Sequence, residues 1–188
     1  MTSRLPWWLK LGVKLGATAA GVPHKVRNLL GFDRHGPMED PAYAIEVVRH
    51  HLAALGHPEA PFRALEVGPG DSPLGALIAA SAGASETWLV DAGPFANYRP
   101  AAQEATYMQL QSLGFDPPGQ SRMESFRQYL DALNAHYLTN GLESMAELPS
   151  DYIDVAWSHA VLEHVRGDEF DALMRELHRV LSFDPPMR

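Results

Sequence analysis

The chain has 188 residues, with 15 Lys plus Arg against 23 Asp plus Glu, 9 His and no cysteine, at 46% hydrophobic and 20% charged content. That is the length and balance of one globular domain. Without cysteine it can hold no disulfide framework, thiolate metal site or cysteine nucleophile, and a reducing, cytoplasmic setting fits. A formal charge of −8 gives no general attraction to phosphate backbones, so nucleic acid is not an expected partner. No apolar run reaches membrane-spanning length.

Charge is unevenly divided. The first 32 residues carry Arg4, Lys10, Lys14, Lys25 and Arg27 and no acid, so every carboxylate falls later. Residues 1–36 therefore read as a basic helical segment, separate from a domain over 37–188. On a helical wheel Leu5, Trp8, Leu11 and Leu15 share one side while Lys10 and Lys14 form a stripe. Two arrangements suit that pattern: peripheral contact with an anionic membrane surface through residues 4–27, or apolar packing on the domain with both lysines solvated. The same lysines interrupt the apolar stretch, which argues against a signal peptide.

In the domain, Asp40 and Pro41 supply an N-cap and a first-turn proline, and Ile45, Val48, Leu52 and Leu55 recur at helical spacing before Gly56. His50, His51 and His57 fall near the end of this helix. Adjacent histidines point to different faces, so no metal triad is expected and a solvated polar face is the default. Phe62 to Val67 is short and apolar and ends at Gly68-Pro69-Gly70, the pattern of a buried strand with a tight turn. Ser72 is expected to cap a helix opened by Pro73 and running to about Ala82, and Thr87 to Val90 to form a second strand closed by Asp91. Between Pro94 and Asn134 the spacing suggests two helices, Ala101 to Leu113 and Ser121 to Leu133. Their Tyr107, Phe115, Phe126 and Tyr129 would serve either as a cap over a pocket or as core. Ala135 to Thr139 and Tyr152 to Trp157 read as strands, with Asn140-Gly141 turning between them. Phe170, Leu173, Leu177, Val180 and Leu181 mark a final amphipathic helix. Strands alternating with helices imply an open α/β sheet with parallel pairing.

In such a sheet a ligand sits beyond the carboxyl ends of the strands. Glu66-Val67-Gly68-Pro69-Gly70-Asp71-Ser72 is at that edge, and Asp91, 21 residues past Gly70, is placed to accept hydrogen bonds from two ribose hydroxyls. A nucleoside ligand is expected. Glu66 and Asp71 bracket the loop with negative charge, which repels a pyrophosphate and attracts a sulfonium and an ammonium. A dinucleotide fingerprint would also need a glycine where Pro73 stands, and no Gly-Lys-Ser/Thr follows to make a P-loop.

The stretch Ala64 to Ser72 resembles the first motif of the class I S-adenosylmethionine-dependent methyltransferases, acidic-x-Gly-x-Gly. Asp91 falls where that family has its ribose-binding acid, and Leu148 to Val165 is similar to its fourth strand and following turn. With Arg175 to Leu181 the likeness spans about residues 62 to 181. It implies a Rossmann-like α/β fold with helices on both faces and S-adenosylmethionine as cofactor. It sets Glu66, Gly68, Pro69, Gly70 and Asp71 around the methionyl part, Asp91 on the ribose and Ala92 beside the adenine. Gly141 and Leu142 would lie at the adenine edge, and Ser158 and His159 would line the cleft where methyl transfer occurs. The family's usual third loop glycine is Ser72 here.

The family normally adds a fifth strand, a helix and two further strands, whereas this chain has about four strands and departs from the family pattern at Ser182-Phe183-Asp184-Pro185-Pro186. The domain thus reads as partial: either a fragment of a longer protein, or a chain whose exposed fourth-strand edge is covered by a partner or by the N-terminal helix. The expected reaction is methyl transfer to a small-molecule or lipid-like acceptor, with His159 the candidate base or a structural histidine. The alternative is a cofactor-binding or interaction module without turnover.

Overall fold

The computed structural model describes residues 38–182, so the basic segment at 1–36 and both arrangements expected of it lie outside the described residues. Asp40 caps as its position suggested: its carboxylate accepts from the Tyr43 backbone N–H at 3.1 Å, and helix α1 runs Pro41–Ala54. The chain continues through β1 (Phe62–Val67), α2 (Leu74–Ser81), β2 (Ala84–Val90), α3 (Pro100–Ser112), α4 (Phe126–Ala132), β3 (Ala135–Leu138) and α5 (Leu142–Met145). It ends with β4 (Val155–Ser158), a 3-10 turn (Leu162–His164) and α6 (Gly167–Val180). Among the described residues no helix is long and apolar enough to cross a membrane.

The four strands pair in parallel in the order β3-β2-β1-β4. Successive side chains on β1 point to opposite faces, and both faces are covered. Ala64 meets a core formed by Ile45, Val48 and Leu52 of α1, Leu77 and Ile78 of α2, Leu110 of α3 and Tyr129 of α4. Leu65 and Val67 meet Met145 of α5 and Leu173 and Val180 of α6. This is the doubly covered Rossmann-like α/β sheet that alternating strands and helices predict.

Register does the functional work. Val67 pairs with Val90 on one side and Ser158 on the other, and Val90 pairs with Leu138. All four strands therefore end in one row, and the segments beginning at Gly68, Asp91, Thr139 and His159 emerge side by side.

Several boundaries differ from the sequence reading, each for a local reason. β2 begins at Ala84 rather than Thr87, because Ala84 and Glu86 pair with Phe62 and Arg63 despite their polar surroundings. β4 begins at Val155 rather than Tyr152: the Tyr152 and Ile153 N–H groups are taken by the Val180 carbonyl at the end of α6, both at 2.8 Å. α4 begins at Phe126 rather than near Ser121, where the Ser125 hydroxyl accepts from Gln128 N–H at 3.1 Å. α5 is a single turn, too short to show periodicity, and stands where only a turn was expected. Beyond α6 the backbone returns beside β4, with Leu181 bridged in parallel to Ile153 and Ser182 N–H donating to the Ile153 carbonyl at 2.8 Å. The chain just ahead of β4 is thus engaged on its outer side. Tyr129 is fully buried, while Tyr107, Phe115 and Phe126 pack against the same core, so these aromatics are core rather than a cap.

The start of α2 also departs from expectation. Pro73 is the cap residue and makes no side-chain cap bond, and the Ser72 hydroxyl reaches Leu74 N–H only at 3.4 Å. The Tyr129 phenol supplies the stronger contacts, donating to the Pro73 carbonyl at 2.7 Å and accepting from Leu77 N–H at 3.2 Å. It is inserted where the first i to i+4 helix bond would run. Burial pushes its ionisation upward, so it remains a neutral donor and acceptor. Tyr129→Phe strips both bonds from a dry site and should lower unfolding stability by about 1–3 kcal/mol, read as a lower urea midpoint at unchanged m-value.

Candidate functional site

The first strand-end loop needs its glycines. Gly68 and Gly70 have φ of 76° and 60°, a region side-chain-bearing residues seldom enter. Gly68 N–H donates to the Val90 carbonyl at 2.8 Å, and Gly70 N–H donates to the Asp91 carboxylate at 2.8 Å. Asp91 then binds in three more directions. Its other carboxylate oxygen accepts from Ala92 N–H at 2.7 Å, its own N–H donates to the Leu138 carbonyl at 2.9 Å, and its carbonyl accepts from Gly141 N–H at 2.8 Å. Asn97 N–H donates to the Asp71 carbonyl at 2.9 Å, closing the second loop onto the first. The loops after β1, β2 and β3 are therefore joined into one rim.

The rim is open at one end and closed at the other. A Cβ added at Gly70 would meet nothing within 4 Å, whereas one at Gly68 would overlap the Val161 side chain, which comes from the segment after β4. Pro69 is buried, and its carbonyl accepts from Ser72 N–H at 3.4 Å. Ala92 is exposed, and a Cβ at Gly141 would come 3.6 Å from the Ala92 Cα, so these two small residues lie against each other. Leu142 turns toward the apolar cluster beneath the sheet. The Ser158 hydroxyl is buried at the end of β4 with no hydrogen-bond partner among the described residues.

Glu66 is the electrostatic anomaly. It is 2% exposed and pairs across the sheet with Trp157. Its carboxylate lies against Gly75 in the first turn of α2, where any Cβ would overlap it. One carboxylate oxygen has no hydrogen-bond partner. Burial pushes the carboxyl up to about 7, against an ordinary 4.5. The Trp157 indole, whose N–H meets no acceptor at hydrogen-bonding geometry, draws it partway down, and the Asp91 carboxylate pushes it further up.

His159 lies on the α1 side of the β4 exit. Its Nε2 is 3.1 Å from the Tyr43 hydroxyl, and its ring meets the Tyr43 and His51 rings edge-on at centroid distances of 6.1 and 5.9 Å. His51 is thus not the solvated residue expected. Burial lowers its pKa, with smaller contributions from His159 and His50.

The residues fit an adenosyl sulfonium ligand. The Asp91 carboxylate is oriented at the rim by Gly70 and Ala92 N–H, and a carboxylate accepts several hydrogen bonds, the chemistry a pair of ribose hydroxyls requires. Gly70 offers open backbone, Ser158 an unpartnered hydroxyl, and Asp71 and Asp91 put acidity on one rim, with Glu66 buried beneath it. Sequence reasoning missed Tyr43, Val161 and Gly75. The signal for Gly75 was present as a lone glycine within an otherwise strong Ala/Leu helix; Val161 left no trace in the sequence.

Because the folded Glu66 carboxyl holds its proton more tightly than the unfolded one, its stabilising contribution is complete below about pH 4.5 and lost as pH rises through about 7. The span is on the order of 3 kcal/mol. Glu66→Gln should flatten this part of the curve, so the variant gains on wild type in denaturation midpoint as pH is raised across that window. A difference constant with pH would assign the titration elsewhere.

The family profile described as "Methyltransferase domain" matches residues 90–184, half of the chain, from the end of β2 through α6. No curated protein matches the chain. Among solved structures, the chain is similar to the YcgJ protein of Bacillus subtilis at 22% identity and TM-score 0.42, covering 73% of this chain and 48% of that one. It is similar at 10% identity and TM-score 0.43 to a Methanococcus maripaludis protein assigned to the S-adenosyl-L-methionine-dependent methyltransferases, over 80% of this chain and 63% of that one. WbdD is similar at 17% identity and TM-score 0.43, over 78% and 29%. The chain therefore spans less than two thirds of each of these three proteins. By the match over half its length, this chain belongs to the class I S-adenosylmethionine-dependent methyltransferase family.

Proposed function

We propose that the chain binds S-adenosylmethionine at the Gly70–Asp91 rim and transfers its methyl group to a small-molecule or lipid-like acceptor. The observation that carries this reading is the Asp91 carboxylate, held by Gly70 N–H at 2.8 Å beside a glycine that faces open space. A carboxylate oriented in advance by backbone N–H groups receives ribose hydroxyls with little reorganisation on binding. Acidity on the rim favours a cationic donor over a dinucleotide, whose pyrophosphate would be repelled by Asp71 and Asp91.

When bound, S-adenosylmethionine supplies a methyl carbon already activated by its sulfonium. The chain's own task is then alignment. Asp91 fixes the ribose, Ala92 and Gly141 give a small-residue surface for the adenine, and Glu66, Gly68, Pro69, Gly70 and Asp71 line the methionyl side with Leu142 behind Gly141. Ser158 can offer its hydroxyl to the cleft, where His159 is the base.

Calorimetric titration with S-adenosylmethionine, S-adenosylhomocysteine and NAD tests the reading. Binding of the first two and not of NAD is expected. Asp91→Ala should weaken donor binding by about 1–3 kcal/mol as ribose bonds disappear. Binding of NAD alone, or undiminished donor affinity in folded Asp91→Ala, would overturn it. Donor binding without transfer to any acceptor would leave a cofactor-binding module.

A further inference from the structure

We infer that Glu66 is the group by which the site tells the charged methyl donor from its demethylated product: a sulfonium docked at the rim drives the proton off the buried Glu66 carboxyl, and the neutral sulfur of the product leaves it in place. This rests on the S-adenosylmethionine reading above and goes beyond it by assigning the discrimination between the two ligands to one residue.

Among the described residues two carboxyl groups are buried, Glu66 at 2% exposure and Asp91 at 8%. They are held differently. Each Asp91 oxygen accepts from a backbone N–H, of Gly70 at 2.8 Å and of Ala92 at 2.7 Å, contacts that favour the charged form. Glu66 stands one residue before the end of β1, between Leu89 of β2 and Trp157 of β4, with one oxygen that meets no donor. From β4 it is faced by the Trp157 indole, whose N–H is also unpartnered. From α2 it is faced by Gly75, and that helix carries no acidic or basic side chain. The Tyr129 phenol of α4 lies near, already committed to Pro73 and Leu77. The titratable groups that act on Glu66 are therefore Asp91 and Tyr129.

A carboxyl in such surroundings keeps its proton until a positive charge arrives nearby. Burial pushes Glu66 up to about 7, the Trp157 indole draws it partway down, and the Asp91 charge pushes it further up. A charge at the rim is thus felt at Glu66, and a cation held on that rim acts with the opposite sign. S-adenosylmethionine carries a sulfonium, an ammonium and a carboxylate; S-adenosylhomocysteine keeps the last two and loses the first. The balance is one proton: Glu66 gives it to water as the donor docks and takes one back from water once the sulfur is neutral. By linkage, a proton released on binding makes affinity rise with pH, and the product lacks that gain. Preference for donor over product is complete above about pH 7 and fades as pH falls below it.

Calorimetry of the full chain in buffers of different ionisation enthalpy counts the protons released by each ligand. At about pH 6.5 S-adenosylmethionine should release roughly half a proton more than S-adenosylhomocysteine, and the ratio of their affinities should rise about fivefold between about pH 5.5 and 7.5. The α-amino group of each ligand titrates as well, so the count is taken as the difference from Glu66→Gln, in which the contribution of Glu66 vanishes. Carbon-13 NMR of labelled glutamate carboxyls needs no variant: the resonance that titrates near neutrality should move to the carboxylate position when the donor is added at about pH 6.5, and stay when the product is added. Equal release by the two ligands, release that persists in Glu66→Gln, or an unmoved resonance at saturating donor would overturn the inference while donor binding stands. Failure of wild type to bind the donor at all would instead sink the methyltransferase reading, and this inference with it.

Discussion

The site depends on the bond between Gly70 N–H and the Asp91 carboxylate. The two residues are 21 positions apart in sequence and belong to different strands, yet they meet at 2.8 Å. Asp91 also ties its own backbone to Leu138 and Gly141, so one residue joins the loops after β1, β2 and β3. A charged acceptor bonded to backbone N–H groups makes a stronger contact than a neutral pair, and here it sits at 8% exposure, where competing water is scarce. The carboxylate that orders the rim is also the one that the proposed donor would meet.

That ordering is bought with an unfavourable neighbour. Glu66 is buried beneath α2 with an unpartnered oxygen, a state that costs stability unless the group takes up a proton. Gly75 makes room for it, at the price a glycine carries inside a helix. Apolar residues at both positions would pack better. A poorly satisfied acid directly under a glycine rim is the kind of local conflict that tends to mark functional ground in an otherwise consistent fold.

The two faces of the sheet contribute unequally. On one face α1 packs across to the β4 exit, so Tyr43 and His51 reach His159, and Val161 shuts the Gly68 end of the rim. On the other, α5 is a single turn, and the strands there carry Trp88 stacked on His136, Glu86 bonded to His136 and Tyr152, and Arg63 over the Tyr152 ring and paired with Asp154. These polar and aromatic contacts link neighbouring strands away from the strand-end row. They tie the sheet together where a long helix would otherwise cover it.

Much of this was legible beforehand. Short apolar runs bounded by turn residues located all four strands, and the carboxyl-end rule for an α/β sheet put Gly68, Gly70 and Asp91 at one edge, because side-chain alternation and turn chemistry are local properties that residues carry with them. The Asp40 cap was readable for the same reason. Contacts between distant segments were not. Whether Ser72 or Tyr129 satisfied the start of α2 depended on a phenol 56 residues past Pro73. Whether His51 met water or His159 depended on the packing of α1 against the β4 exit. The sequence by itself determined which elements form and which residues lie at the strand ends, since hydrophobic period and backbone freedom need no partner. Only the tertiary structure decided which polar atoms are paired, which are stranded, and which end of the rim stays open, because hydrogen bonds and burial exist only once the segments meet.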